Sequence, residues 1–164
     1  MNATGESSQE LLSSGDIRFI AEIGLMAAGA GNGKAAESIF QGLLVLRKDR
    51  NLPYIGLSLA KQCQRQFDEA TRILREDGLR ANPDDPEILS FLGLALHNAG
   101  RPNESERVMR SVLRLANPDS PAHRMASNFL AELERCGSGM LPKAWLAETS
   151  LAESAVALQE LGER

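Results

Sequence analysis

With 164 residues, the chain is long enough for one domain with short tails but too short for two domains of ordinary size. Apolar residues make up 43% of the chain and charged residues 24%, which is the balance of a globular protein rather than a disordered one. The net charge of −4 comes without any long run of basic residues. The composition therefore argues against a nucleic-acid-binding surface, which needs clustered lysine and arginine.

The N-terminal residues 1–15 are polar and rich in serine, and we expect them to form a mobile arm. They lack the basic start and apolar core of a secretion signal, and no stretch of the chain approaches the roughly 20 apolar residues of a membrane-spanning helix. Cys63 and Cys136 lie far apart without metal-ligand spacing, so we interpret both as reduced thiols. The sequence thus predicts a cytoplasmic protein without a membrane partner.

Three segments of the chain follow one plan. The same spacings of 34 and 35 residues separate two sets of anchors, the small Ala36, Ala70 and Ser105 and the large apolar Phe40, Leu74 and Met109. An early glycine precedes the small anchor by 12 residues in the first and third copies (Gly24 and Gly93), but Gly56 precedes Ala70 by 14. We infer two extra residues near 61–66, between the two helices of the second copy.

Each copy divides into two helical patterns, separated by a break around Gly31–Gly33, Gln64–Gln66 or Gly100–Pro102. Because each pair of helices leaves an apolar face uncovered, we expect neighbouring pairs to stack into a curved superhelix. The prediction is an all-α fold, with repeats at about residues 17–50, 51–85 and 86–119 inside a domain of residues 16–136. An unrelated helical bundle is the alternative.

The anchors, the period and the proline after the second helix of the later copies together resemble the tetratricopeptide repeat, over about residues 17–119. The resemblance implies an α-solenoid of helical hairpins that binds other proteins. Beyond the repeats, Ser120 and Pro121 predict the start of a capping helix. A linker and a last helix, from about residue 143 to 161, are predicted in residues 137–164. This helix is interpreted either as a second cap or as a mobile segment that covers a groove or pairs with a second subunit.

The first helix of each copy predicts a binding surface. With Gly24, Gly56 and Gly93 as position 8, positions 2, 5, 9, 12 and 13 share one helix face, and leucine recurs at position 9. In a superhelix this face lines the concave side, and an apolar trough there suits a hydrophobic peptide or helix of another protein. The predicted partner-binding groove consists of Leu25, Ala28, Leu57, Ala60, Lys61, Leu94, His97 and Asn98. The alternative is that the leucines are covered by the C-terminal helix or belong to the core.

The chain carries no recognisable catalytic or metal-binding constellation. Residues 29–34 contain three glycines and a lysine, but they lack the following Ser or Thr and the preceding strand of a phosphate-binding loop. His97 and His123 are the only histidines, and their surroundings in the sequence do not have the spacing of zinc ligands. We therefore expect no enzymatic activity, no cofactor and no metal.

Within tetratricopeptide proteins, residues 39–59 resemble bacterial type III secretion chaperones. The resemblance lies in a helix end of the form F-x-x-L-x-V-L, here Phe40 to Leu46, followed by an aromatic and an apolar residue and Gly-Leu, here Tyr54 to Leu57. It implies a cytoplasmic holdase that keeps an aggregation-prone secretion substrate unassembled, without ATP. The alternatives are a general assembly adaptor, self-associating as a homodimer through its terminal helices, and, more distantly, an enzyme with an unrecognised site.

Overall fold

The computed structural model describes residues 12–136, and within this range the chain forms helices and no strand. The all-α fold predicted from the sequence is confirmed for this part of the chain. The helices in chain order are α1 (Ser14–Gly29), α2 (Gly33–Leu46), α3 (Asn51–Cys63), α4 (Phe67–Arg72, Ile73–Gly78 and Leu79–Ala81 without interruption), α5 (Pro86–Asn98), α6 (Pro102–Leu115) and α7 (Pro121–Cys136). The predicted linker and last helix of residues 137–164, and residues 1–11 of the predicted arm, lie outside the described residues.

The first six helices form three hairpins, which pack side by side in chain order. Hairpin one is α1 with α2, hairpin two is α3 with α4, and hairpin three is α5 with α6. The first helices α1, α3 and α5 contact one another in sequence, while α2 packs on α3 and α4 packs on α5. Helix α7 packs on both helices of hairpin three and covers its open side.

The starts of three helices follow from capping residues. Ser13 caps α1, and Asp16 completes a capping box by accepting from the Ser13 backbone N–H. Asp85 caps α5 just before Pro86, and the Ser120 hydroxyl accepts from the backbone N–H of His123 at the start of α7. The cap on Ser13 corrects the predicted arm, because Ser14 and Gly15 belong to α1 and not to a mobile segment.

The two helices of each hairpin are connected by one turn, and the three turns have the same conformation. Each turn has three residues, and its middle residue, Gly31, Arg65 or Gly100, has a φ between 61° and 78°. In each turn the N–H of the last residue donates to the carbonyl five residues earlier, at Ala27, Lys61 or Leu96. These matching bonds fix which residues of the three hairpins are structurally equivalent.

Phe40 is the central side chain of the contact between hairpins one and two. It is fully buried on α2, and its ring lies against Gly24 of α1 and Gly56 of α3. A Cβ atom at Gly24 would approach the ring to 2.9 Å, and one at Gly56 would overlap it. The two glycines therefore allow three helices to meet at a single aromatic ring, and hairpins one and two share one core.

Helix α4 departs from α-helical geometry between Ile73 and Gly78, where the backbone makes a π-helical turn. Gly78 ends this turn and lies against Ile88 of α5 and Tyr54 of α3, with distances of 3.3 and 3.5 Å from a Cβ built at this position. The widened turn and the missing side chain let α4 approach its neighbours closely.

Candidate protein-binding site

The turn geometry changes the predicted alignment of the second copy. The turn of hairpin two has three residues, like the other two turns, so the inferred insertion near residues 61–66 is wrong. The residue of α3 that corresponds to Gly24 and Gly93 is Ser58, which precedes Ala70 by the same 12 residues. Ser58 is completely buried, as a small residue at a helix–helix contact must be. Gly56 is explained instead by its contact with Phe40 of the preceding hairpin.

The corrected alignment moves the leucine row of hairpin two by two residues. The equivalent leucines of the first helices are Leu25, Leu59 and Leu94, with Leu59 in place of the predicted Leu57. We call these three side chains the leucine row. Ala28 and His97 keep their predicted equivalence at position 12, where Gln62 replaces Ala60.

Three predicted groove residues of α3 lie outside the leucine row. Leu57 and Ala60 are buried, and they correspond to Ile23 and Met26 of α1, outside the leucine row. Lys61 donates from Nζ to Oε1 of Glu37 on α2 at 2.7 Å. A two-residue error in alignment turns a helix face by about 200°, which explains why these side chains lie outside the row.

The leucine row is not an open trough in the structure. Leu25 and Leu59 are each 6% exposed and Leu94 is 1% exposed. His97 is also buried, and its ring meets Phe129 of α7 edge-on at 5.4 Å. Burial lowers the pKa of His97, which favours a neutral ring. The row and its neighbours are thus part of the core of the described structure.

Neighbouring first helices are also joined by polar contacts along this face. Asn98 of α5 donates from Nδ2 to Oε1 of Gln62 on α3 at 2.7 Å. The thiol of Cys63 on α3 lies 3.2 Å from the carbonyl oxygen of Ala28 on α1. Asn98, one of the predicted groove residues, therefore has a role in joining hairpins two and three. These contacts hold the three first helices in a fixed lateral order.

Hydrogen bonds to the single carboxylate of Glu37 join α2 to the end of α3. Besides Lys61, Glu37 accepts from Nε2 of Gln64 at 2.8 Å through its second oxygen and from Nε2 of Gln41 at 3.2 Å. The hydrogen bond from Gln64 and then that from Lys61 lower the pKa of Glu37. The sequence pattern did not single out Glu37, because its partners lie 24 and 27 residues away and meet it only in the folded chain.

Replacing Glu37 with glutamine is expected to remove a pH-dependent part of the stability. Because folding lowers the pKa of Glu37, this contribution is fully present above the ordinary carboxyl pKa of 4.5 and is lost as the pH falls through the lowered value. The free energy of unfolding should therefore differ more between the original protein and Glu37→Gln at about pH 7 than at about pH 3. Urea denaturation at both pH values measures the two differences, and equal differences would contradict this role of Glu37.

The described residues do not form a metal-binding cluster, and their glycine-rich stretch forms a turn between two helices. Residues 12–136 contain no group of three or more His, Cys, Asp or Glu side chains that could hold a metal ion. In the glycine-rich stretch, Gly31 forms the turn of hairpin one and Asn32 caps α2. This stretch therefore joins two helices, as expected, without the strand that a phosphate-binding loop requires. None of the described helices is both long and apolar enough to cross a bilayer.

The described structure also shows an apolar surface that the sequence prediction missed. Phe19, Ile23 and Met26 are spaced along one side of α1 and are 63%, 42% and 73% exposed. Their equivalents in the later hairpins are buried: Pro53, Leu57 and Ala60 in α3, and Ile88, Leu92 and Ala95 in α5. The signal was present in the sequence as three large apolar residues at helical spacing on the first helix of the array.

Comparisons with known proteins leave the family open, since no protein-family model matches the chain and no curated protein has a matching sequence.

Proposed function

We propose that the chain is a non-catalytic, cytoplasmic protein-binding module of the tetratricopeptide type, which holds an apolar segment of a client polypeptide. The observation that carries this proposal is the leucine row, one equivalent leucine on the first helix of each of three equivalent hairpins. Repeated side chains on stacked hairpins form a linear apolar surface, and such a surface matches an extended or helical segment of another protein.

The chemistry of the row selects the class of client. Its members are aliphatic, and the small Ala21 and Ala28 flank Leu25 on α1. Nearby polar side chains are uncharged or already paired, as with Gln62 and Asn98. An acidic or phosphorylated peptide would need basic side chains at these positions. A segment rich in leucine, isoleucine or valine is the better match.

The burial of the row adds a condition to the proposal. A client reaches Leu25, Leu59 and Leu94 only when the row becomes accessible, so binding is coupled to a change of conformation. The client's apolar side chains would then replace contacts that the row makes in the free protein. Such binding stabilises the holding protein in turn by mass action, without ATP.

The resemblance of residues 39–59 to type III secretion chaperones supports a secretion substrate or a subunit of the secretion apparatus as the client. The F-x-x-L-x-V-L pattern has a structural counterpart here. Phe40 and Leu43 are buried in the contact between hairpins one and two, whereas Val45 and Leu46 are exposed at the end of α2. The pattern therefore combines two core residues with an apolar helix end.

The test is to purify the full chain from its native host, identify the chain bound to it, and measure amide hydrogen exchange with and without that client. We expect a bound apolar segment to slow exchange in α1, α3 and α5, with smaller changes in α2, α4 and α6. A client segment whose apolar residues are replaced with aspartate is the matched control and should leave exchange unchanged. Protection confined to α2, α4 and α6 would contradict binding at the leucine row.

A further inference from the structure

The exposed side of α1 is an interaction surface that the proposed function does not use. We call Phe19, Ile23 and Met26 the end stripe. At 100° per residue these side chains lie within a sector of about 60° on α1, so they form one continuous apolar surface. In hairpins two and three the equivalent face is buried, whereas here the side chains are 42% to 73% exposed. Among the described helices, none packs on the end stripe.

The two ends of the described structure differ, and this difference limits what can cover the end stripe. At the other end, α7 closes hairpin three with Met125, Ala126 and Phe129 turned into the core. Its outward residues Arg124, Ser127 and Asn128 are exposed and polar. Within the described residues, α7 offers no apolar face on which α1 of a second copy could stack head to tail. The end stripe of a second copy presents an apolar face of the same extent.

The charges beside the end stripe are also self-complementary. Arg18 and Glu22 lie on the same flank of the stripe, 3.0 Å apart and each partly exposed. In an antiparallel pair of α1 helices related by a two-fold axis near residue 21, Phe19 of each copy faces Ile23 of the other. The same axis places Arg18 of one copy beside Glu22 of the other, so that the existing ion pairs extend into a network of four charges.

We propose that the end stripe joins two copies of this chain into an antiparallel, two-fold symmetric dimer through α1. The inference does not depend on the client-binding role, since the stripe and the leucine row lie on different faces of α1. Three side chains and their flanks provide less than the roughly 800 Å² per partner of a typical stable interface, so the dimer is weak and concentration-dependent.

Sedimentation velocity of the full chain, from about 1 to 200 µM, tests the proposal over the range of weak dimers. We expect a monomer–dimer equilibrium whose dissociation constant rises at least about tenfold in the double variant Phe19→Lys, Ile23→Lys, because charge would enter the apolar contact between these two side chains. Val45→Lys is the matched control, since Val45 is 83% exposed on α2 and outside the stripe. It should leave the dissociation constant unchanged.

A second measurement identifies the geometry of the dimer. In a background with Cys63→Ser and Cys136→Ser, a short bismaleimide should join two copies of an Ile23→Cys variant and leave a Val45→Cys variant monomeric. Circular dichroism confirms that each variant retains its helices. If the protein stays monomeric at every concentration, the proposal is overturned. This holds whether the stripe instead binds residues 1–11 or a client. A dimer that survives the double lysine variant, or that cross-links equally at both cysteines, overturns it as well.

Discussion

Replacing Gly56 with alanine should destabilise the fold by about 2 kcal/mol, even though alanine favours a helix by about 1 kcal/mol over glycine. The added Cβ atom would overlap the ring of Phe40, which is fully buried and cannot move away without disturbing α1 and α3. The penalty for overpacking a rigid ring therefore exceeds the gain in helix propensity. Urea denaturation, monitored by far-ultraviolet circular dichroism, measures the change in the free energy of unfolding.

Two other glycines provide controls for this prediction. Gly42 on α2 has no atom within 4 Å of a Cβ built there, so Gly42→Ala should stabilise the protein by about 0.5–1 kcal/mol. A Cβ at Gly93 would approach Met109 Cε to 2.7 Å, but the flexible Met109 side chain can shift, so Gly93→Ala should cost less than Gly56→Ala. If Gly56→Ala, Gly42→Ala and Gly93→Ala had the same free energy of unfolding, close packing against Phe40 would not be the cause of the loss at Gly56. Phe40→Leu should reduce the cost of Gly56→Ala, since the two sites are coupled.

Leu94→Asp should unfold the protein, with a cost of at least about 5 kcal/mol, which is comparable to the total stability of an ordinary domain. Leu94 is 1% exposed within the described structure, so an aspartate there would place a charge in the apolar core. An open trough, as the sequence alone predicts, implies that Leu57→Asp and Leu94→Asp abolish client capture and leave helicity intact. The burial of both leucines reverses the second half of that expectation.

Leu115→Asp is the matched control for this prediction. Leu115 is 51% exposed at the end of α6, and the same substitution there should cost less than about 1 kcal/mol. Leu94→Ala removes the side chain without adding a charge and should cost about 2–5 kcal/mol. Far-ultraviolet circular dichroism and urea denaturation compare all three variants. A Leu94→Asp protein with native helicity and a normal denaturation midpoint would show that the row is accessible and not core.

The repeated plan of the chain could be predicted because its signals are local. Small and large anchors at spacings of 34 and 35 residues marked three helical hairpins, and the cap at Ser120 marked the start of α7. The alignment of hairpin two could not be obtained in the same way. Gly56 and Ser58 are both small residues on α3, and only the fold shows that Phe40 of another hairpin requires Gly56 while the partner helix requires Ser58.

The candidate site was predicted only in part, for a related reason. Helical periodicity identified Leu25 and Leu94 as equivalent, because their copies have the same spacing between early glycine and small anchor. Periodicity gives the face on which a side chain lies but not what covers that face. The burial of the row, the pairing of Lys61 with Glu37 and the exposure of the end stripe all depend on contacts between distant segments.

The turn of hairpin two has a consequence for how the whole array holds together. Arg65 adopts a left-handed conformation that its counterparts Gly31 and Gly100 adopt as glycines, which costs about 1 kcal/mol more for a residue with a side chain. The π-helical turn of α4 adds a second local departure in the same hairpin. The unit with the poorest intrinsic stability is thus the central one, supported by a neighbour on each side. Separating either outer hairpin removes support on which the middle one depends. We therefore expect the described helices to melt together as one cooperative unit, without fraying inward from the ends of the array.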